Sequence, residues 1–331
     1  MSDLVSVIVP AYNASSRLRP CLESIIAQDY GDMEIIVVDD KSQDGTGDIA
    51  REILGASARK HKVITHKLNS GECASRNTGL KHAEGKYVCF IDADDLVRGN
   101  FISLLHEAVT RGKCEMSFCG LTDRFMDGKP DKDIHSVHDV PYISSGEKFI
   151  LDNSVPPVWC CMYDAEFLRK YNLMFHEGCT AGGDVEFITK ALCRAERVTF
   201  VMECLYIYMH HEDMGSVRDN DTKEKKLLRY EHNTQAQCST AEYLCEHAAS
   251  QELKDFAGKV LLPHAIIRKF TVHSMSNDYE GYNAFLRDSR VMMILRGAVN
   301  IYTLRKKAEV FLKALMILYF PGFYYRMRCK A

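Results

Sequence analysis

The stretch 87–95, YVCFIDADD, joins an apolar run to three carboxylates within four positions. The apolar part predicts a buried β-strand, and Asp92, Asp94 and Asp95, the acidic cluster, follow where that strand ends. Carboxylates this close repel one another, and a hard divalent cation relieves the repulsion while leaving positions open for a phosphate-bearing ligand. One interpretation is therefore a metal and diphosphate site. The other is a solvated acidic turn that caps the helix beginning near Gly99.

Three similar units precede this stretch. Each has a short apolar strand, a polar loop and then a helical pattern, with strands at 4–9, 33–38 and 62–66. Strands that alternate with helices and are apolar along nearly their whole length predict a parallel sheet covered on both faces. In such sheets, ligands bind beyond the carboxyl ends of the strands. The polar motifs all follow predicted strands, so we expect them to lie together at one edge of the sheet.

The remainder of the chain divides into two parts. Strands at 115–119 and 198–208 continue the α/β pattern, and the polar segment 123–145 between them is typical of an insertion or long loop. The predicted fold class is α/β, with a Rossmann-like, mostly parallel sheet flanked by helices in residues 1–220 and a helical C-terminal region in 221–331. Within that region we expect helices at about 223–248, 251–276, 280–297 and 303–319.

Composition limits the classes of partner and compartment. The 331 residues carry 42 Lys and Arg against 45 Asp and Glu, a formal net charge of -3, which provides no overall nucleic-acid-binding surface. The 13 cysteines occur without Cys-x-x-Cys pairs, which predicts free thiols in a reducing compartment. The N-terminal apolar run has only the length of a strand and does not resemble a signal peptide. We therefore expect a cytoplasmic protein with no nucleic-acid partner.

Three residues at or after strand ends each allow two interpretations. Tyr12 can be a platform on which a nucleobase stacks, a contact worth about 1–3 kcal/mol in single-strand nucleic-acid binders, or a loop aromatic packed on the core. Asp40 can accept a hydrogen bond from a base or ribose, or can be a capping or turn aspartate. Arg76 can pair with a diphosphate or orient the acidic cluster, or can form a surface salt bridge. None of the three is decisive alone.

Four motifs occur in order at the predicted strand ends: PAYN at 10–13, VVDDKSQDGT at 37–46, NSG at 69–71 with SRNTG at 75–79, and FIDADD at 90–95. Together they closely resemble the family 2 glycosyltransferases, over roughly residues 4–216. The resemblance implies a GT-A fold, a nucleotide-sugar donor, a divalent metal cofactor, Mn²⁺ or Mg²⁺, and inversion at the anomeric carbon. It also implies a nucleotide-sugar-binding half, 1–119, and an acceptor-binding half, 120–220.

The same resemblance implies roles for individual residues. Tyr12 and Asp40 would hold the base, Asp92 the ribose or donor sugar, and Asp94 together with Asp95 the metal. The remaining motif residues complete the expected nucleotide-sugar site: Pro10, Asn13, Asn69, Gly71, Arg76 and Ala93.

The catalytic base is expected at the start of a later helix. The family motif is Glu-Asp-x-x-Phe, and the matching run here is GDVEF at 183–187, in which Gly183 replaces the glutamate. Asp184 aligns with the family's aspartate and is our candidate for the base. Glu186 is the competing candidate, and we also assign it to acceptor binding. Two residues apart on a helix, the two side chains point about 200° apart, so they do not easily face one acceptor.

His211 and Trp159 are the last candidates of the first domain. The family often ends its last strand with Tyr-x-Tyr-Arg-x-His, and this chain has YIYMHH at 206–211, with Met209 in place of the arginine and His210 available to replace the positive charge. Under the resemblance His211 binds the metal or diphosphate; otherwise it is a loop histidine. Trp159 lies in a stretch similar to the family's acceptor region, where it either stacks on an acceptor sugar or packs in the core.

Residues 301–331 concentrate positive charge in a chain that is net negative. Seven basic residues against one acid, 7 − 1, give +6, and an apolar run at 310–320 is followed by a proline and three aromatic residues. The run is too short to span a bilayer but suits the surface of an anionic membrane, where basic and aromatic residues are favoured. The alternative is a buried terminal helix or a homodimer contact.

The expected function is that of a metal-dependent, inverting glycosyltransferase. It would move a sugar from a nucleotide-sugar, a UDP-sugar by family precedent, to a glycan or lipid-linked glycan in bacterial surface polysaccharide synthesis, on the inner face of the plasma membrane. A non-catalytic sugar-nucleotide or glycan-binding module is one alternative. A sugar nucleotidyltransferase is the other, although no glycine-rich, lysine-containing loop follows the first strand.

Overall fold

The computed structural model describes residues 3–127, 129–135, 141–211 and 222–329. Its contacts separate the chain into two compact units. The first comprises Met1–Gly178 and Gly183–Arg218, and the second comprises Cys179–Gly182 and Asp219–Ala331. The domain boundary predicted at residue 220 lies outside the described residues.

The first unit is built on one mixed sheet. Its strands are β1 (Val5–Ala11), β2 (Met33–Asp39), β3 (Lys60–Thr65), β4 (Tyr87–Phe90), β5 (Leu96–Val97), β6 (Met116–Phe125), β7 (Lys132–Ile134), β8 (Ile143–Ser144), β9 (Cys161–Asp164) and β10 (Val198–His210). Within the described residues they follow the order β3-β2-β1-β4-β9-β6-β10-β5, with β7 beside β6 and β8 beside β10. The first four are parallel neighbours, β6 and β10 are parallel, and β9 is antiparallel to both β4 and β6. The predicted α/β, mostly parallel sheet is confirmed.

Helices pack against both faces of this sheet. Alternate residues of β1, Val5, Val7 and Val9, belong to one core cluster with helix α1, whereas Ile8 points to the other face and meets α3. Both β1 and β2 are buried at every position, which explains why their sequences are nearly continuous apolar runs. The helices of this unit are α1 (Leu18–Ile26), α2 (Thr46–Gly55), α3 (Glu72–His82), α4 (Phe101–Gly112), α5 (Gly146–Leu151), α6 (Ala165–Lys170) and α7 (Gly183–Arg194).

The register of the sheet brings the polar loops to one edge. Ala11 pairs with Asp39, and Asp39 pairs with Thr65, so β1, β2 and β3 end at the same level. Strand β4 ends where Phe90 pairs with Ile8, and the acidic cluster follows directly. The loops after these four strands therefore share the carboxyl edge of the sheet, as the alternating pattern predicted.

The segment 123–145 is not one long loop, so that prediction was wrong in part. Strand β6 continues to Phe125, and β7 returns antiparallel beside it, with Thr122 Oγ1 donating to Asp133 Oδ1 at 2.6 Å. Ile134 and Ile143 pack against the core, which gives the two short strands their apolar anchors. Polar residues alternate with these anchors and hide the pattern in the sequence. Residues 128 and 136–140 of the segment lie outside the described residues.

The second unit is helical. Its helices are α8 (Lys223–His247), α9 (Gln251–Phe256), α10 (Leu262–Met275), α11 (Tyr279–Arg287), α12 (Ser289–Ala298), α13 (Ile301–Lys306), α14 (Ala308–Tyr319) and α15 (Pro321–Cys329), with a π-helical turn at Ala257–Leu261 joining α9 to α10. Among the residues that the structure describes, no helix is long and apolar enough to cross a membrane.

Two of the predicted C-terminal helices are each broken into two. The helix expected at 280–297 stops at Asp288, which has extended backbone and accepts hydrogen bonds from Arg290 N and Val291 N, so it caps a new helix. The helix expected at 303–319 is interrupted at Lys307, where φ is -157°. Helix α15 was not predicted, because its sequence has too few apolar residues at helical spacing.

Gly79, the glycine of the SRNTG motif, lies where helix α3 packs closely against strand β1, and this close approach leads to a stability prediction. A Cβ at this position would lie 2.3 Å from Cγ2 of the fully buried Ile8. We expect Gly79→Ala to lower the free energy of unfolding by about 1–3 kcal/mol because the extra methyl overpacks the interface of α3 and β1. Gly55→Ala is the matched control, since Gly55 is also helical and has nothing within 4 Å of its added Cβ. Thermal unfolding compares them, and equal midpoints would contradict the close approach.

Candidate active site

The turn after β4 is fastened to β10 through Asp95. Tyr206 Oη donates to Asp95 Oδ2 at 2.7 Å, and Met209 N donates to Oδ1 at 2.8 Å. The same tyrosine hydroxyl accepts from Asp92 N at 3.2 Å. Asp95 is 1% exposed, and both of its oxygens are engaged. This placement makes Asp95 an anchor of the turn, whereas the neighbouring Asp94 is only partly buried.

Arg76 lies behind the acidic cluster. Its Nη2 donates to Asp92 Oδ1 at 2.7 Å and also pairs with Glu72, one helical turn away. Arg76 is 3% exposed, so it is not a surface salt bridge. Burial lowers the pKa of Arg76, but Glu72, Asp92 and then Asp184 outweigh burial and raise the pKa above its ordinary value. The guanidinium therefore stays charged and orients Asp92.

The pKa values of Asp94 and Asp95 are raised by burial and by neighbouring carboxylates. Burial and then the charge of Asp92 raise the pKa of Asp94. Burial, followed by the charges of Asp92 and Asp94, raises the pKa of Asp95 to about 9. Carboxylates whose charged forms are disfavoured in this way are the donor set that a hard divalent cation stabilises.

His211 lies beside the acidic cluster. Its Nε2 lies 3.4 Å from the backbone oxygen of Asp94, and its charge lowers the pKa of Asp94. Within the described ranges, no three His, Cys, Asp or Glu side chains are already arranged to hold a metal ion. Asp94 and His211 offer one oxygen and one nitrogen donor, and Mg²⁺ is commonly bound by one or two carboxylates together with substrate phosphates.

Asp40 fastens the loop before α3 to the end of β2. Its carboxylate accepts from Ser70 N at 2.8 Å, from Gly71 N at 2.7 Å, and contacts His66 Nδ1 at 2.7 Å. Gly71 has φ +87° and ψ 164°, a conformation that side chains avoid. These contacts are those expected of an aspartate that holds a turn. Oδ2 accepts only the Gly71 bond among these, and the residue is 2% exposed.

Tyr12 and Asn13 follow the first strand directly. Tyr12 is 52% exposed, so its ring is not packed in the core. Asn13 Oδ1 accepts from Gln43 N, and Asn13 N donates to Ser42 Oγ, both at 2.9 Å, which links the loops after β1 and β2. The other nucleotide-site candidates differ in exposure: Pro10 and Ala93 are buried, and Asn69 is exposed.

Asp184 and Glu186 are in different environments at the start of α7. Glu186 is 3% exposed, accepts from Lys190 Nζ at 2.5 Å and lies 3.3 Å from His176 Nδ1. Asp184 is half-buried, and within the part of the chain that the structure describes its carboxylate accepts no hydrogen bond. It is close enough to raise the pKa of Arg76. Of these two carboxylates, that of Asp184 is the one that remains available near the acidic cluster.

Trp159 packs within an aromatic group on β10. Its ring lies 4.2 Å from that of Tyr206 and stacks on Tyr208 at 5.3 Å with an interplanar angle of 2°. It also packs against the sheet core. His210, the suggested substitute for the family arginine, pairs instead with Asp123 at 3.0 Å and stacks on Phe125. Trp159 thereby supports the tyrosine that holds Asp95.

The sequence missed three residues with positioning roles. Tyr206 bridges Asp92 and Asp95, and His66 links Asp40 to Thr78 Oγ1 at 2.9 Å. The Asn77 side chain bonds to the backbone N and O of Phe175 and to Glu177, and so holds the segment that leads toward α7. The available signals were the position of His66 and Asn77 beside or within the third motif and that of Tyr206 in the YIYMHH run at 206–211.

A solved structure has the same fold. The Staphylococcus aureus protein TarS, residues 1–349 in complex with UDP-GlcNAc, superposes with a TM-score of 0.69 over 98% of this chain and 90% of that chain, at 19% identity. The arrangement is that of a GT-A glycosyltransferase, with the acidic cluster at the carboxyl edge of the sheet.

The chain belongs to glycosyl transferase family 2, whose model matches residues 6–174, about half of the chain. It is therefore a glycosyltransferase. The uncharacterized glycosyltransferase EpsJ of Bacillus subtilis is 28% identical over 89% of this chain and 92% of its own length. The putative teichuronic acid biosynthesis glycosyltransferase TuaG, also of Bacillus subtilis, is 37% identical over 42% of this chain and 55% of its own length. The family match includes the acidic cluster but ends before Asp184 and His211.

Proposed function

We propose that the protein transfers a sugar from a nucleoside-diphosphate sugar to a hydroxyl of a glycan or lipid-linked glycan, with inversion at the anomeric carbon. The observation that carries this proposal is the pair of the buried Arg76 and the partly exposed Asp92, beside the partly exposed Asp94 and with Asp184 within electrostatic range. Membership of a glycosyltransferase family favours this function over the two alternatives, a nucleotidyltransferase and a non-catalytic binding module.

The donor binds across the loops that end β1, β2 and β4. The exposed ring of Tyr12 suits stacking on the base. Asp40 Oδ2 has one protein donor and would accept from an N–H or O–H of a nucleoside that reaches this 2% exposed residue. Asp92, fixed by Arg76, accepts from the ribose or the donor sugar. The base is uracil in our proposal, and the UDP-GlcNAc complex of TarS supports this choice.

Asp94 and His211 would hold a divalent metal, Mn²⁺ or Mg²⁺, with the diphosphate oxygens completing its coordination. When bound, the metal stabilises the charge that develops on the departing diphosphate. Asp95 keeps the turn in register with β10, and its own oxygens are occupied by Tyr206 and Met209. The raised pKa values of Asp94 and Asp95, caused first by burial and then by neighbouring carboxylates, support a cation there.

Asp184 acts as the general base. It removes the proton of the acceptor hydroxyl as that oxygen forms a bond to the anomeric carbon and the bond to the diphosphate breaks. Attack comes from the face opposite the leaving group, so one displacement inverts the configuration. Glu186 is buried between Lys190 and His176 and keeps α7 in place rather than meeting the acceptor.

The acceptor belongs to bacterial surface polysaccharide synthesis at the cytoplasmic face of the membrane. The similarity to TuaG, a putative teichuronic acid biosynthesis glycosyltransferase, supports this part of the proposal. The absence of Cys-x-x-Cys pairs among the 13 cysteines supports a reducing compartment.

A nucleotide panel tests the donor class. Thermal unfolding is followed with UDP, GDP, TDP and CMP, each with Mn²⁺ and with a chelator. UDP with metal is expected to raise the midpoint by several degrees, since a ligand at 100 times its dissociation constant stabilises by about 2.7 kcal/mol. The chelator should remove the shift. A shift with GDP alone would replace uracil by guanine, and no shift with any nucleotide would contradict the donor site.

A further inference from the structure

We propose that the exposed face of α14 and α15 docks on the surface of an anionic lipid bilayer. This C-terminal face is formed by Tyr319, Phe320, Phe323, Arg326 and Met327. The inference concerns a surface of the second unit and does not depend on the proposed transfer reaction.

The exposed aromatic residues are not left over from an unformed core. Helix α14 already buries Val310, Ala314 and Ile317, and α15 buries Tyr324, all in one apolar cluster with α10, α11 and α12. Three large rings within five positions of the sequence are nevertheless exposed: Tyr319 is 70% exposed, Phe320 66% and Phe323 60%. Exposed apolar groups of this size, gathered in one place, indicate an interaction site.

Basic residues accompany the aromatic ones. Phe323, Arg326 and Met327 are spaced i, i+3 and i+4 on α15, so all three share one face of the helix. Between residues 301 and 329 there are six basic residues and one acid, 6 − 1 = +5, and that acid, Glu309, is already paired with Lys313. The segment that carries the rings therefore has a net positive charge.

This combination fits a membrane surface better than a second copy of the chain. In a two-fold dimer the same face meets itself, which would bring two positively charged segments together. An anionic bilayer offers opposite charge to the basic residues and an interfacial zone that favours aromatic rings. With 12 residues, α14 is too short to span the bilayer and can only lie on it.

Vesicle flotation of the full chain tests the proposal. Vesicles of pure phosphatidylcholine are compared with vesicles of equal parts phosphatidylcholine and phosphatidylglycerol, at low and at high salt. The wild-type protein is expected to float with the anionic vesicles at low salt, and high salt should weaken the binding. Phe320→Ser/Phe323→Ser is expected to reduce the bound fraction roughly tenfold or more, because the inserted apolar surface is lost.

The matched control is Tyr142→Ser/Met202→Ser, which removes side chains that are 51% and 59% exposed in the first unit. It should float like the wild type, and circular dichroism should show both double variants folded. Failure of the wild type to float, or equal flotation of the two double variants, would overturn the proposal. A wild-type dimer in light scattering that becomes monomeric in Phe320→Ser/Phe323→Ser would assign the face to a second copy instead.

Discussion

Asp184→Asn is expected to reduce kcat by about 10²–10⁴-fold while nucleotide binding is retained. The amide cannot accept the proton of the acceptor hydroxyl, yet it has nearly the same shape as the carboxylate. Asp184 is half-buried and accepts no hydrogen bond from the described residues, so the substitution breaks no internal contact. Release of nucleoside diphosphate from the donor in the presence of acceptor measures turnover, and the metal-dependent rise in the unfolding midpoint measures binding.

Glu186→Gln is the matched control for that experiment. Glu186 is buried and engaged by Lys190 and His176, so its substitution is expected to lower the free energy of unfolding by about 1–3 kcal/mol with a much smaller effect on kcat. The reverse result, lost turnover in Glu186→Gln and retained turnover in Asp184→Asn, would transfer the role of base to Glu186.

Asp94→Asn is expected to abolish the metal-dependent part of donor binding. An amide lacks the charge that favours binding of a divalent cation. The adjacent Asp95 does not replace Asp94, because both Asp95 oxygens accept hydrogen bonds from Tyr206 and Met209. The stabilisation by nucleotide and Mn²⁺, about 2.7 kcal/mol at 100 times the dissociation constant, should fall to the value measured with chelator. Thermal unfolding of the variant over a Mn²⁺ titration provides the measurement.

Asp48→Asn serves as the control for the loss of one carboxylate. Asp48 lies on α2, pairs with Arg51 and has a side chain that is 88% exposed. It should show the wild-type response to Mn²⁺. A full metal-dependent shift in Asp94→Asn would remove Asp94 from the metal site and leave Asp92 and His211 as the ligands to examine.

Much of the architecture was predictable from the sequence because its signals are local. The strand units at 4–9 and 33–38 appear as β1 and β2 with nearly the same limits, since a strand covered on both faces must be apolar along its length. The carboxyl-edge location of the acidic cluster followed from the same pattern. The breaks at Asp288 and Lys307 were not visible, because one capping carboxylate or one extended residue interrupts a helix without changing its apolar spacing.

The candidate site was predictable as a set of motifs but not as a set of roles. The sequence left Asp40, Arg76 and Trp159 with two interpretations each, and the structure adds the burial and the partners of each side chain. Arg76 is buried, so its ion pairs are not surface salt bridges. Trp159 stacks on two tyrosines of β10. The Asp40 carboxylate accepts hydrogen bonds from backbone N–H groups 30 and 31 positions further along the chain.

The order of strands and helices, the edge that carries the polar loops and the family were therefore contained in the linear pattern of residues. The division of labour among the carboxylates was decided by the tertiary structure. Tyr206 reaches Asp95 across 111 positions of sequence, and that bond distinguishes the anchored Asp95 from the adjacent Asp94. Periodicity reports which face of an element is buried, whereas a hydrogen bond between distant segments exists only after the sheet has brought their ends together.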